Sequence, residues 1–254
     1  MDIVLNEHEW AEEHIESRNI GKKPFETLCR IARYYIDNDF NKLKTRKALD
    51  SFLLQCDPTT SLTKWADTLD YALNKALKYK AILIKDITVT KSEIETIDRL
   101  DSKQIKRLAF TLLCLSKYWD LVSPDNDHWV NNKDNEIMSM ANINTSLKRQ
   151  GSMYWQLREL GLIQFSKKVD NTNVRVLFAQ NDNVATKITD FRNLGYQYLK
   201  LKGEPYFECE NCGITVKIKE PGKGRKQKYC KNCAVEIRTR QNVNSVMRHR
   251  AGKC

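Results

Sequence analysis

Apolar residues recur every three or four positions through the first 120 or so residues, which is the spacing of one face of an α-helix. Thr90 followed by Glu93 also predicts a capping box at the start of a short helix. We therefore expect an N-terminal helical domain over residues 1–122. Its apolar stripes predict helices near residues 25–36, 49–56, 62–77 and 105–119.

The helical pattern is interrupted by turn-forming residues in "SPDNDHWVNNKDN", after which the order of elements changes. The following stretch, "NEIMSMANINTSLKRQGSMYWQLRELGLIQFSKKVDNTNVRVLFA", predicts a short helix over 136–141, a turn, and a longer helix from Ser146 to about Leu160. Gly161 is expected to end that helix in the left-handed conformation, and a basic β-hairpin follows. This is the order of a winged helix-turn-helix, which we predict over residues 123–182.

The longer helix of this segment is expected to have one apolar and one polar face. Asn144 or Thr145 is the predicted N-cap, and the predicted inward-facing residues are Leu147, Tyr154, Leu157 and Leu160. In DNA-binding winged helices the second helix enters the major groove and the hairpin lies along the backbone or minor groove. The expected nucleic-acid contacts are Thr145, Ser146, Lys148, Arg149 and Ser152 on the helix and Lys167, Lys168 and Arg175 on the hairpin. A protein-interaction or dimerisation role is the alternative for such a module.

A helical connector is predicted over residues 183–203, running from about Val184 to Leu201. Phe191, Leu194 and Tyr198 have roughly helical spacing, so we interpret them as packing residues rather than platforms for stacked bases.

Two Cys-x-x-Cys pairs, Cys209 with Cys212 and Cys230 with Cys233, are separated by seventeen residues. This spacing is typical of a four-cysteine zinc site, in which each pair supplies two thiolates at about 2.3 Å. Sulfur then fills all four tetrahedral positions, so we expect one structural Zn²⁺. Flanking strands at "PYFEC" and "TVKIKE" and a helix after the second pair predict a zinc ribbon or treble-clef-like finger over 204–254. Redox or disulfide use of the cysteine pairs is the alternative.

Positive charge is concentrated around these cysteines. Residues 201–254 contain thirteen lysines and arginines against five glutamates, a formal excess of 8 within the chain's +11. Zinc held by four thiolates would lower this excess by about two units, which still leaves a basic surface suited to phosphate. The candidate contacts are Lys223, Arg225, Lys226 and Lys228 in the loop and Arg238 and Arg240 on the final helix. A solvated basic tail is the alternative.

The sequence also argues against several classes of protein. It has no run of eighteen apolar residues, and its N-terminus is acidic and polar, so we expect neither secretion nor membrane insertion. Cys29, Cys56 and Cys114 fall in apolar helical patterns and are interpreted as reduced core residues, whereas Cys254 is interpreted as a tail thiol. No cluster of carboxylates or histidines has the pattern of an active site, so we expect no enzyme activity.

The segments "MANINTSLKRQGSMYWQLRELGLIQFSKKVDNTNVRVLF", "DFRNLGYQYLKLKGEPYFECENCG" and "KYCKNCA" together resemble uncharacterised proteins of Gram-positive bacterial phages and prophages. Those proteins place a segment like "DFRxLGYxYL" before a four-cysteine finger, and the resemblance covers about half of the chain. It implies a mobile-element origin, a location in the cytoplasm of a bacterial host and association with DNA. It identifies no catalytic residues.

The sequence thus predicts a mainly α fold with small β elements and a nucleic-acid-binding function. Double-stranded DNA is the expected ligand, in a regulatory or replication-associated role. The N-terminal helical domain would recruit a protein partner or self-associate. The alternative function is a phage-encoded adaptor or inhibitor that binds a host protein, such as a defence complex or a nucleic-acid enzyme.

Overall fold

The computed structural model describes residues 3–167, 173–218 and 226–251. Contacts divide the chain into two compact units, Asp2–Asp86 and Ile87–Cys254. Helices dominate the described residues and the sheets are small, which confirms the expected mainly α class.

The N-terminal unit is helical and has its own core. Its helices are α1 (Glu7–Glu16), α2 (Pro24–Asp37), α3 (Lys42–Cys56) and α4 (Leu62–Ala76). The apolar stripes predicted from the sequence are buried, and the core includes Leu28, Ile31, Leu49, Phe52 and Leu69. The acidic N-terminal stretch, which lies within the predicted helical domain but before the first predicted apolar stripe, forms α1 and is capped by the side chain of Asn6.

The C-terminal unit combines helices with short strands. In chain order these are β1 (Ile87–Thr90), α5 (Lys91–Asp98), α6 (Lys103–Val122), β2 (Trp129–Val130), α7 (Asp134–Met140), α8 (Leu147–Glu159), β3 (Ile163–Phe165), β4 (Val174–Val176), β5 (Val184–Ile188), α9 (Leu194–Leu201), β6 (Tyr206–Glu208), β7 (Thr215–Lys217) and α10 (Lys231–Ala251). The predicted capping box is present, since Thr90 and Glu93 cap α5 reciprocally.

Helix α6 lies at the centre of the C-terminal unit. Its residues from Leu108 to Tyr118 are all buried, because the helix packs against α5, α7, α8, α9, β1, β2 and β4. The division between the units therefore falls at Asp86 and Ile87, earlier than the boundary predicted after residue 122. The sequence signal for that boundary, the turn residues after α6, instead folds β2 back beside the helix: Asn126 Nδ2 donates to the carbonyl of Trp129 at 2.8 Å.

Strand β2 joins the predicted hairpin in a sheet of order β2–β4–β3. The strands are antiparallel, with Arg175 on β4 opposite Trp129 on one side and Gln164 on the other. Gly161 has φ of +70°, so the predicted left-handed ending of the longer helix is confirmed. Helices α7 and α8 therefore lie between two strands of this sheet, β2 and β3, in the order of the sequence.

Helix α8 differs in detail from its prediction. Its N-cap is Ser146, whose Oγ accepts the N–H of Arg149, rather than Asn144 or Thr145. Tyr154 and Leu157 are buried as expected, but Leu147 and Leu160 are 83% and 61% exposed. Both were wrongly assigned to the inner face because Met153, Tyr154 and Leu157 already fill it, and the terminal leucines lie beyond that contact.

The predicted helical connector over 183–203 is a helix only in its second half. Residues Val184–Ile188 form β5, which pairs antiparallel with β1 so that Ile188 lies opposite Ile87. Val, Thr and Ile are β-branched and favour a strand when a partner strand is present. The partner here comes from a distant part of the sequence, so local helical spacing gives no indication of it.

A buried ion pair fastens the segments around β1. Lys117 Nζ on α6 lies 2.7 Å from the carboxylate of Glu93, which is fully buried, and donates to the carbonyls of Thr88 and Gln180 at 3.0 and 2.9 Å. The same carboxylate accepts the N–H groups of Thr90 and Gln180, each at 2.7 Å. A buried charge with this many partners is stabilised against its loss of hydration.

Helix α9 is anchored to α5 through a carboxylate. Asp98 Oδ1 accepts the hydroxyl of Tyr198 and Oδ2 accepts Lys202 Nζ, both at 2.6 Å. Burial by itself would raise the pKa of Asp98, but the hydrogen bonds from Lys202 and Tyr198 outweigh it and hold the pKa below its usual range. The ionised carboxylate is therefore part of the folded contact.

We expect Tyr198→Phe to lower the free energy of unfolding of the C-terminal unit by about 1.5 kcal/mol at pH 7, the value of a hydrogen bond to a charged group. Because the folded-state pKa of Asp98 lies below its unfolded value, its contribution is present above the unfolded pKa and is lost as pH falls through the folded pKa. The difference between wild type and variant should therefore shrink below about pH 4. Denaturant unfolding at pH 7 and pH 3 measures it, and an equal difference at both values would contradict the role of the carboxylate.

Candidate metal centre and nucleic-acid interface

Short strands and one helix bring the four cysteines together. Cys209 follows β6 and Cys212 precedes β7 in an antiparallel hairpin, while Cys230 precedes α10 and Cys233 lies in its first turn. Gly213, at φ of +73°, donates its N–H to the carbonyl of Cys209 at 2.9 Å and closes the turn. The strands and helix predicted around the cysteines are thus present.

The sulfur positions fit a single metal ion. All four thiol sulfurs lie within 4.8 Å of one another, and those of Cys212 and Cys230 are 3.8 Å apart. Four sulfurs placed tetrahedrally at about 2.3 Å from an ion are about 3.8 Å apart. Cys209, Cys230 and Cys233 are buried, and Cys212 is half-buried. The cluster can therefore hold one metal ion away from solvent.

Hydrogen-bond donors favour the thiolate form at one of the four sulfurs, that of Cys209, whereas burial raises the pKa of the Cys212 thiol to about 12. Burial by itself would raise the pKa of the Cys209 thiol, but N–H groups of Cys230, Cys212 and Asn211 outweigh it and lower the pKa to about 6. The Cys230 N–H lies 3.2 Å from the Cys209 sulfur. Asn211 Nδ2 also donates to the sulfur of Cys233 at 3.3 Å, a contact from outside the ligand set that orients a ligand.

Helix α8 presents the predicted basic residues to solvent. Lys148, Arg149 and Ser152 are exposed, and neither Lys148 nor Arg149 forms an ion pair with any residue in the described part of the chain. Thr145 is half-buried and its carbonyl accepts Gln150 Nε2, while the Ser146 hydroxyl is engaged in capping the helix.

Aromatic and cationic side chains extend this face of α8 toward the hairpin. Trp155 is 53% exposed, contacts Phe165 on β3 edge to face, and carries the guanidinium of Arg158 4.5 Å from its ring centroid. Gly151 and Asp134 line a shallow hollow beside this pair. Trp155 lies one helical turn after Gly151 and Ser152, which are also exposed, so its place on the outward face agrees with helical spacing.

The three contacts predicted on the hairpin differ in their surroundings. Lys167 is exposed, whereas Lys168 lies outside the described residues. Arg175 is not an unpaired cation, because its guanidinium pairs with the Asp127 carboxylate and donates to the Asp127 carbonyl at 3.1 Å. Arg175 therefore ties β4 to the chain before β2.

In the C-terminal module, Lys226, Arg238 and Arg240 are exposed. Lys228 lies 3.4 Å from the Glu210 carboxylate, an exposed pair that solvent screens. Lys223 and Arg225 are outside the described residues, as is Cys254. The first three turns of α10 therefore carry the exposed cations Lys231, Arg238 and Arg240.

The segment "DFRNLGYQYL" joins the cysteine cluster to the helices. Arg192 pairs with Asp190 and donates to the carbonyl of Cys212 at 2.6 Å. Asn193 Nδ2 donates to the carbonyl of Thr215 at 2.9 Å, and its Oδ1 accepts Asn142 Nδ2 at 2.8 Å. Sequence reasoning attributed only packing to this segment, because hydrogen bonds from loop side chains leave no periodic signal.

Comparisons with protein-family models, with curated proteins and with solved structures found no match for this chain. The resemblance to phage and prophage proteins therefore stays a prediction. Within the part of the chain that the structure describes, no helix combines the length and apolar content needed to cross a bilayer.

Proposed function

We propose that this protein binds nucleic acid, with double-stranded DNA as its ligand, through a winged helix and a zinc finger. The observation that carries the proposal is the outward face of α8, where Lys148 and Arg149 have no described ion-pair partner. Cations in this state are available to phosphate, and binding would release counterions from DNA. Trp155 adds an aromatic surface to the same face.

The order of elements supports the winged-helix part of the proposal. The sequence α6–β2–α7–α8–β3–β4, with sheet order β2–β4–β3, matches a helix-turn-helix followed by a β-hairpin wing. In that arrangement α8 is the second helix, the one that enters the major groove. Lys148, Arg149 and Ser152 would face the groove, and Lys167 would lie on the wing.

Zn²⁺ is the ion that we propose for the cysteine cluster. Four thiolates at tetrahedral spacing suit zinc, and no position is left for a reacting water, so the ion would be structural. The cations on α10 would then hold phosphates without reading sequence. A role in transcription or replication of a phage or prophage, in the host cytoplasm and without catalysis, is the corresponding biological proposal.

A salt titration tests the proposal. With about five phosphates neutralised, log K for a random duplex should fall by roughly 4.5 per tenfold rise in salt. Lys148→Ala with Arg149→Ala should weaken binding at least about tenfold and reduce the slope by about 2. Fluorescence anisotropy with a labelled duplex measures both.

The matched control is Lys44→Ala with Lys47→Ala, which removes two exposed charges from α3 in the other unit. We expect this control to bind DNA like wild type. Equal losses in both double variants, or wild-type affinity that salt does not reduce, would overturn the proposed role of α8.

A second candidate function, capture of a host protein by an adaptor or inhibitor, is favoured by apolar side chains exposed on the N-terminal unit, Leu43, Tyr71 and Tyr79 among them. This candidate predicts that Lys148→Ala with Arg149→Ala still captures the host protein as well as the wild type does. The same variant therefore separates the two candidates.

A further inference from the structure

A continuous set of hydrogen bonds runs from the cysteine cluster to the turn between α7 and α8. At one end, the carbonyls of Cys212 and Thr215 accept Arg192 and Asn193 at 2.6 and 2.9 Å. At the other end, Asn142 Nδ2 donates to Asn193 Oδ1 at 2.8 Å. Asn193 thus contacts both the metal-binding hairpin and the turn.

Asn142 is the residue that shapes this turn. Its φ is +55°, in the left-handed region that asparagine tolerates better than most residues. Its carbonyl accepts Arg107 Nη1 from α6 at 2.9 Å, and its Oδ1 accepts the N–H of Tyr196 in α9 at 3.1 Å. Every polar group of its side chain and its carbonyl is therefore held by α6 or by the segment that leads to the cysteines.

The backbone on both sides of this connection is closely packed. Gly195, two residues after Asn193, lies so near α7 that a Cβ atom would be 2.0 Å from the carbonyl oxygen of Ala141. Asn193 itself has φ of +56°. Because the backbones are in contact here, a movement of the hairpin that carries Cys212 and Thr215 would also move Asn193 and, through it, Asn142.

We propose that Asn193 and Asn142 are positioning residues that couple metal occupancy of the four-cysteine cluster to the conformation of the α7–α8 turn. Metal fixes the hairpin that presents the Cys212 and Thr215 carbonyls. The Thr215 carbonyl accepts the side chain of Asn193, and the Cys212 carbonyl accepts that of Arg192, the residue before it. Loss of metal frees the hairpin, releases Asn193 and loosens the turn from which α8 starts. The regulatory consequence, metal-dependent binding through α8, rests on the proposed function, whereas the coupling itself does not.

Hydrogen exchange tests the coupling without nucleic acid. The amides of Asn142 and Ile143 report on the turn, since they donate to Ser139 and Met138 at 3.0 and 2.9 Å. In the full chain under reducing conditions, chelation of the metal should speed their exchange about tenfold or more, while amides in the centre of α6 stay protected.

Asn193→Gly is the informative variant, because glycine accepts the positive φ and only the side-chain bonds are lost. In this variant the turn amides should exchange fast with and without metal, although the metal still binds. The matched control is Lys200→Ala on α9, which removes the contact from Lys200 to Glu208 on β6 but touches neither the Cys212 and Thr215 carbonyls nor the turn. It should respond to chelation like wild type.

Three results would overturn the coupling: turn exchange in wild type that ignores chelation, exchange that rises equally in α6, or a full metal response in Asn193→Gly. The DNA titration distinguishes the other failure. If the turn responds to metal but no duplex binds, the proposed function is wrong and the coupling stands. If DNA binds and the turn does not respond to metal, the coupling is wrong and the proposed function stands.

Discussion

Cys209→Ser is expected to weaken metal binding more than about 100-fold, beyond the 10- to 100-fold typical for loss of a partner outside the ligand set. The Cys209 sulfur accepts the N–H of Cys230 and lies within the cluster of four thiols, so its loss affects both Cys-x-x-Cys pairs. Because binding of a structural ion contributes on the order of 10 kcal/mol to folding of a small module, the hairpin and the start of α10 should become sensitive to protease. Metal content after dialysis and a competition titration with a chromophoric chelator measure the first effect.

Cys56→Ser provides the control for this substitution. Cys56 is half-buried at the end of α3, far in sequence from the cluster. It should retain one ion per chain. Equimolar metal in Cys209→Ser, or its loss in Cys56→Ser, would contradict the assignment of the four ligands.

Gly195→Ala is expected to destabilise the C-terminal unit by about 3 kcal/mol or more, the upper range for overpacking. The new Cβ would lie 2.0 Å from the carbonyl oxygen and 2.6 Å from the carbonyl carbon of Ala141. Both are backbone atoms of a buried residue, so no side-chain rotation can relieve the clash. Chemical denaturation measures the loss of stability, with hydrogen exchange of the amides in residues 87–254 as the readout.

Gly151→Ala is the matched control. It lies inside α8, and a Cβ there would meet nothing within 4 Å. Since alanine is the better helix former, this variant should gain about 0.5–1 kcal/mol. Similar stabilities for the two variants would show that α7 and α9 are not in the close contact described above.

Local signals in the sequence predict much of the candidate site. The spacing of the cysteine pairs identifies the cluster, because two intervening residues let the chain turn so that both thiols of a pair can bind the same ion. Gly161 and the Thr90 capping box are likewise read from a few adjacent residues. The basic positions of α8 follow from helical periodicity once its start is placed near Ser146.

Other features depend on contacts between distant segments and leave no local signal. The connector is half strand because Ile87–Thr90 lies beside it, and the exposure of Leu147 is decided by what the middle of α8 packs against. Arg175 has the residue type of a phosphate contact, yet Asp127 neutralises it through the fold of the turn before β2. The links made by Asn142 and Asn193 require two left-handed residues to meet across the unit.

The pairing of β1 with β5 also has a consequence for how such a chain can change in evolution. Ile87 and Ile188 are neighbours across the two strands, so the polypeptide enters and leaves the intervening segment at one edge. The ion pair of Lys117 with Glu93 lies within this segment, and Lys117 donates to the carbonyls of Thr88 on β1 and Gln180 shortly before β5. Because the two ends of this segment lie side by side, a change in its length at an exposed turn does not force the flanking chain to span a new distance.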